Sequence, residues 1–471
     1  MSENASTKRL SIEVPKSGIS ILRHFGADAD RKMRAARRHA GLLLLLLVYG
    51  LVSAQDAPGA VSAFDRSVLR QLTHRADSLL YARQFAAAES AYAGLLRADT
   101  SYAPGRLGIA TARLCAGGRD PGGILRDFRR AAEMMPSNAT AHLRYGEALL
   151  PWRLPGREPD SVRLVEAVRH LRRVLELAPG RVEALQALYF ACLAQGDRAH
   201  AEAALKELAA RDFFPKPVQD FGYDLLVSAD SNGFVFANGD LDLFPALVEQ
   251  AAGLRTDVTV ASIPMLGQPW YVRYLKQERN LPVTLSDAQL ESRSGRYDKR
   301  LERTLSPAEC VLENAVANRG KVRGGMYLPV TVRQEVLELF QSGLSLEGFV
   351  YRITDDKSAI PVNEKSCSAN LNRVYRAIDF QNLPVWRANS SPLTRDYSVL
   401  APDCAAAYWA LADEYRFRRD LTRAGANCHT ACSILLDADK WGAFEKVLKY
   451  WLKIAPQDPD ALRMKKDYGG Q

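Results

Sequence analysis

Gly233-Phe-Val-Phe-Ala-Asn-Gly-Asp-Leu-Asp-Leu-Phe-Pro245 decides how the middle of this 471-residue chain is read. An apolar run, Phe234 to Ala237, stops at Asn238-Gly239. Asp240 and Asp242 follow, and Pro245 opens an amphipathic run from Ala246 to Ala252. That order predicts strand, tight polar turn, helix. Asn and Gly tolerate the left-handed backbone of a sharp turn. Asp240 or Asp242 can cap the free amides of the first helical turn, and Pro is tolerated early in a helix. Open α/β sheets place ligands at the carboxyl ends of their strands. Asn238, Asp240 and Asp242 are therefore the candidate binding residues.

Moving outward, Asp257–Ile263, Met326–Val332 and Gly348–Thr354 are further β-branched or aromatic runs bounded by turn residues. Strand, helix, strand favours parallel pairing through a right-handed crossover. These runs define an α/β domain over 215–355. Between the second and third lies a charged stretch, 284–325, holding Arg293, Arg296, Lys299, Arg300 and Arg303. It reads as an exposed helix or a mobile loop, with a phosphate-binding patch as the functional alternative.

Residues 66–214 are rich in Ala, Leu and Arg at helical spacing. Pro136, Pro179 and Pro215 close successive units. Without the loop Pro151-Trp-Arg-Leu-Pro-Gly-Arg-Glu-Pro159, the period approaches the ~34 residues of a tetratricopeptide repeat. Leu175-Glu-Leu-Ala-Pro-Gly180 and Ala194-Gln-Gly-Asp197 resemble that repeat family. An irregular linker is expected over 356–402, and tetratricopeptide-like helices resume over 403–471. The expected fold is thus α+β and multidomain: an amino-terminal α-solenoid, a small α/β domain with parallel strands, and a carboxyl-terminal helical repeat. Stacked helix pairs make a concave groove, so a protein or peptide partner is expected there.

Apolar content of 47% and charge of 25% are those of a globular protein. The net charge of +9 is unevenly placed. Residues 1–54 hold nine Lys/Arg against four acids, a balance of +5, which leaves +4 for the rest. So weak an excess reads as solvated surface, and no nucleic-acid partner is expected. Within 1–54, basic residues Arg31 to Arg38 precede Gly41 to Leu51, then Val52-Ser53-Ala54. This is the pattern of a secretory signal peptide, cleaved near Ala54. Met33 as the start would give it ordinary length. The expectation is a periplasmic or secreted protein; the alternative is an uncleaved amino-terminal membrane anchor. Seven cysteines, Cys115, Cys192, Cys310, Cys367, Cys404, Cys428 and Cys432, form no C-x-x-C pair. Most are expected to serve as small buried apolar residues.

Asn238, Asp240 and Asp242 stand at i, i+2 and i+4, a spacing at which oxygen ligands can meet a divalent cation. An EF-hand loop does not fit. Leu243 stands where that loop needs Gly, and Pro245 follows two residues later. Asp240-Leu-Asp242 is also similar to the metal-and-sugar-nucleotide motif of soluble glycosyltransferases, but helical repeats precede it where a nucleotide-binding half would lie. The plain alternative is helix capping. No His lies between 215 and 400, so the α/β domain has no imidazole base or zinc ligand of its own. There is no Walker A loop and no G-x-G-x-x-G. A divalent cation at Asp240 and Asp242 is the one cofactor admitted. Trp270 and Tyr271, with Tyr274, could offer aromatic surface near the turn, or could be core on a helix.

Four separated stretches resemble the soluble carboxyl-terminal region of bacterial membrane proteins related to protein O-mannosyltransferases. They are Phe234–Pro245, Gly253-Leu-Arg-Thr-Asp-Val-Thr-Val260, Pro269-Trp-Tyr-Val272 and Leu344-Ser-Leu-Glu-Gly-Phe-Val-Tyr-Arg-Ile353. The likeness covers about 215–460. It departs from the family in lacking the multi-span portion that would hold sugar-lipid chemistry, and Arg323-Gly-Gly325 replaces a basic segment. The resemblance implies a shared accessory domain and a link to cell-envelope glycosylation. The expected function is an exported, non-catalytic interaction module, with a membrane glycosyltransferase or a glycoprotein as partner. The alternatives are a metal-dependent enzyme acting on sugar or phosphate through Asp240 and Asp242, and an assembly scaffold.

Overall fold

The computed structural model describes residues 63–118, 120–152, 160–354, 361–376, 378–381 and 397–468. The leader, the Ala54 cleavage point and the Met33 start fall outside the described residues. So do most of the Pro151–Pro159 loop and much of the expected 356–402 linker.

Among the described residues eight helices come first: α1 Ala63–Tyr81, α2 Phe85–Ala98, α3 Ala103–Cys115, α4 Pro121–Met134, α5 Ala139–Leu149, α6 Ser161–Leu177, α7 Glu183–Ala194 and α8 Arg198–Ala210. Each packs on the next in sequence up to α8. Short connections between packed neighbours make the pairs antiparallel. Local sequence sets the boundaries. The side chains of Asp120, Asn138, Asp160 and Asp197 accept from amides in the first turns of α4, α5, α6 and α8. On α6, Leu164, Ala167, Val168, Leu171 and Val174 form one buried stripe at helical spacing. Gly108 lets α3 lie against the Tyr92 ring, where a Cβ would stand 2.1 Å from a ring carbon.

The middle of the chain contains α9 Lys216–Ser228, β1 Phe234–Ala237, α10 Asp240–Ala251, β2 Thr259–Ser262 and α11 Pro269–Arg279. Then come α12 Asp287–Glu291, β3 Arg296–Asp298, β4 Arg303–Leu305, α13 Pro307–Ala317, β5 Met326–Pro329, β6 Leu344–Leu346 and β7 Val350–Ile353. Five strands make one mixed sheet in the order β2-β1-β5-β7-β6. The parallel strands are β2, β1 and β5, with Phe234 opposite both Thr259 and Met326. β7 and β6 return antiparallel. All residues of β1, β2 and β5 are buried, as expected of parallel strands covered on both faces.

Two local expectations change. Helix α10 begins at Asp240, not near Pro245, because Gly239 supplies the cap and the two acids occupy the first turn. Pro245 sits inside the helix and forfeits one bond to the preceding turn. The charged 284–325 stretch is neither one helix nor a loop. It folds as α12, the β3–β4 hairpin and α13.

After β7 come α14 Glu364–Ala369, α15 Leu400–Phe417, α16 Leu421–Asp437, α17 Trp441–Ile454 and α18 Pro459–Tyr468. The molecule is mostly helical, with helix pairs packing consecutively beside one small sheet. A single apolar core runs from Ala110 in α3 to Met464 in α18, through both helical regions and the sheet. A smaller core, Leu69 to Ala112, serves the first helices. The thiols of Cys192, Cys367, Cys404, Cys428 and Cys432 are buried and none of the seven is paired. No helix among the described residues is long and apolar enough to cross a membrane.

Candidate functional site

The β1–α10 turn lies where the strand order changes direction. From β1 the chain moves to β2 on one side, and then crosses to β5 on the other. Loops after β1 and β5 therefore meet at a switch point, the usual place for a ligand crevice. Here it is closed by hydrogen bonds. Asp242 is 2% exposed. Its Oδ2 accepts from the Asn238 amide at 2.6 Å and from Thr331 Oγ1 at 2.8 Å, and its Oδ1 accepts from the Gly239 amide at 2.9 Å. Asn238 Nδ2 donates to the Thr331 carbonyl at 3.0 Å. Burial raises the Asp242 carboxyl above its ordinary value, and these donors pull it back down. The carboxylate clamps two strand ends together.

Asp240 faces elsewhere. It is half-buried and lines a small open cleft with Phe244, also on α10. The opposite walls come from the end of α5 (Glu147, Leu150, with Trp152 just beyond) and from α7 (Glu183, Gln186, Ala187, Phe190). The cleft measures ≈ 40 Å³. Glu147 is held by Arg144 at 2.8 Å, and Glu183 pairs with Arg181. Gln186 is 4% exposed, and neither its Oε1 nor its Nε2 has a partner among the described residues. So the two acids that sequence places side by side serve different places, one inside a turn and one in a cleft wall. Among the described residues no group of three or more His, Cys, Asp or Glu is arranged to hold a metal ion.

Trp270 and Tyr271 are both buried in α11. Trp270 lies 5.4 Å from Trp152 and 5.6 Å from Tyr271, ring to ring. The Tyr271 hydroxyl accepts from the Ser262 amide at 3.1 Å, at the end of β2. Phe190 of α7 meets Phe244 at 5.7 Å and Tyr271 at 6.1 Å. This aromatic cluster joins the helical repeats to the sheet. Trp270, 9% exposed, packs on Trp152 of the cleft wall.

Three of the five basic residues, Arg296, Arg300 and Arg303, are spent on the chain itself. Arg296 binds Glu313 at 2.5 Å and Arg303 binds Glu309 at 2.8 Å. Arg300 donates to the carbonyls of Glu338 and Leu339, each at 3.1 Å. These three side chains are those of a folded surface.

Two groups escaped the sequence reading. Asp403, on α15, is pushed up to about 7 by burial, with the Asp242 charge adding to the effect. Gln186 lies in an unremarkable helix, Glu183–Ala194. Neither carries a local signal, because each matters only through elements distant in sequence.

A family described as TMEM260-associated domain 2 matches residues 218–301, from α9 through β3. TMEM260 is a protein O-mannosyltransferase. No curated protein matches the chain. The matched span holds β1, the Asn238–Asp242 turn, α10 and α11, so the domain that carries the candidate turn is similar to TMEM260-associated domain 2 and links the chain to O-mannosylation-related proteins.

Proposed function

We propose that this chain is an exported, non-catalytic recognition module of cell-envelope glycosylation. Its consecutive helix pairs are tetratricopeptide-like units whose groove takes a protein or peptide partner. Its sheet-bearing part docks a glycoprotein or a membrane glycosyltransferase. The leader directs it to the periplasm or beyond, with release near Ala54. The observation that carries the non-catalytic reading is the state of Asp242. Its carboxylate is 2% exposed and engaged by two backbone amides and a hydroxyl, so it is turned into the fold rather than towards a substrate. The family match over 218–301 supports the link to mannosylation.

A second reading keeps one observation. Burial, with the Asp242 charge adding to it, pushes the Asp403 carboxyl up to about 7, the range of a general acid or base at neutral pH. A metal-dependent enzyme on sugar or phosphate would act through Asp240 and Asp242, with Asp403 as a proton carrier.

The test is glycan occupancy of envelope proteins in cells lacking the chain, together with a sugar-transfer assay on the purified protein. Lowered occupancy with no transfer by the protein alone is expected. Unchanged occupancy overturns the recognition role, and unaided transfer that Asp403→Asn abolishes establishes the enzyme.

A further inference from the structure

The cleft between α5, α7 and α10 contains a buried group with both hydrogen-bonding capacities unmet. We propose that it is a subsite for the hydroxyl edge of a sugar ring, a vicinal diol on a glycan. The assignment rests on the recognition reading above and names what that recognition touches.

Three features select the ligand chemistry. First, Gln186 is 4% exposed and both ends of its carboxamide lack partners among the described residues. A buried amide in that state needs one donor and one acceptor from whatever enters. A simple cation leaves Nε2 unmet, and an apolar group leaves both atoms unmet. Second, Glu147, Glu183 and Asp240 line the same space. Arg144 and Arg181 neutralise the first two, so the wall offers lone pairs more than net charge. Such a wall gains nothing from phosphate, which brings only further acceptors, and it asks for more donors than a single peptide amide supplies. Third, Trp152 and Phe244 flank these acceptors, which suits the C–H face of a sugar beside its hydroxyls. The volume of ≈ 40 Å³ holds about three water-sized groups at ~10–15 Å³ each. Two hydroxyls and the carbon edge between them fit, and the rest of the ring stays outside.

The experiment is saturation-transfer NMR on the full chain with the methyl glycosides of mannose, glucose and galactose. O-mannosylated and unmodified forms of one peptide follow, to separate a free sugar from a protein-bound glycan. Transfer from at least one hexoside is expected, lost in Gln186→Leu and weakened several-fold in Asp240→Asn. Removing a buried, unmet amide also predicts that Gln186→Leu raises Tm by about 1–3 °C. Absence of transfer from every hexoside overturns the assignment, as does transfer that survives Gln186→Leu. A fall in Tm for that variant overturns it too, because the amide then has a partner in the fold. Binding of arginine methyl ester in place of the hexosides would make the cleft a cation site instead. Unchanged glycan occupancy in cells alongside intact NMR transfer sinks the cellular role alone. Lost transfer with lowered occupancy sinks the subsite alone.

Discussion

His170 makes the helical repeats sensitive to acid, and its contacts with His142 fix its tautomer. His142 Nε2 lies 3.0 Å from the Pro136 carbonyl, which only accepts. His142 therefore carries its proton on Nε2 and accepts on Nδ1. The two Nδ1 atoms are 2.7 Å apart, so His170 donates there. His170 Nε2 is then left to accept, and Arg169 Nη2 approaches it at 3.4 Å. His170 is therefore a neutral ring. A further proton on His170 would face the Arg169 guanidinium. Burial, then the neighbouring His142 and Arg169, lowers His170 from its ordinary 6.5 to about 4. Between those values the unfolded chain binds a proton that the folded chain refuses, so stability rises with pH across that window. Each tenfold change in proton affinity is about 1.36 kcal/mol, which sets a ceiling near 3.4 kcal/mol. The ring is only half-buried, and solvent screening brings this to about 1–2 kcal/mol. The assay is urea denaturation of the wild type and His170→Asn at pH 7 and at pH 4.5. Asn can still donate from its amide to His142 but does not titrate. The wild type should lose about 1–2 kcal/mol more than the variant on acidification. Equal losses in the two proteins would refute the assignment.

Other consequences concern packing and buried charge. Gly222 brings α9 onto α10, and a Cβ there would lie 2.5 Å from the Pro245 carbonyl carbon and 2.7 Å from the Ala246 nitrogen. Both are backbone atoms, so Gly222→Ala should cost about 3 kcal/mol, at the upper end for overpacking, read as a lowered denaturation midpoint. Asp242→Ala strands two amides and the Thr331 hydroxyl and should cost about 3–5 kcal/mol, clearly more than the isosteric Asp242→Asn; equal losses would mean the turn is not held by this carboxylate. Burial pushes the Asp224 carboxyl from 3.8 up to about 8. The folded state then keeps a proton that the unfolded chain sheds, so this group's contribution falls as pH rises through that window. Asp224→Asn should therefore gain on the wild type in thermal melts between pH 5 and pH 9, and a constant difference would count against it.

The strand-turn-helix at 233–252 was legible because each signal was local: an apolar run, an Asn-Gly turn and acids at a helix start. Its one misplacement, Pro245, arose because Gly239 caps the helix one turn earlier. The β3–β4 hairpin was not legible. Its strands are three residues each, and Arg296 and Arg303 disguise them as solvated surface until Glu313 and Glu309 are seen opposite. At the site, the sequence named Asp240 and Asp242 together, as the i, i+2 spacing invites. What separates them is that one points into the β1–β5 turn and the other into the wall shared with α5 and α7. Trp270 and Tyr271 were open between surface and core, and their partners Trp152 and Ser262 decide for the core. The cleft needed Glu147, Gln186 and Asp240 from three distant segments, and no window of sequence contains it.

Thermal denaturation of the full chain and of Asp240→Asn, with and without millimolar magnesium, manganese or calcium, tests most directly whether this turn recognises or reacts. Recognition predicts the same melting temperature with every ion for both proteins. Stabilisation of the wild type by one of these ions, abolished in Asp240→Asn, would contradict it and point to metal-dependent chemistry at α10.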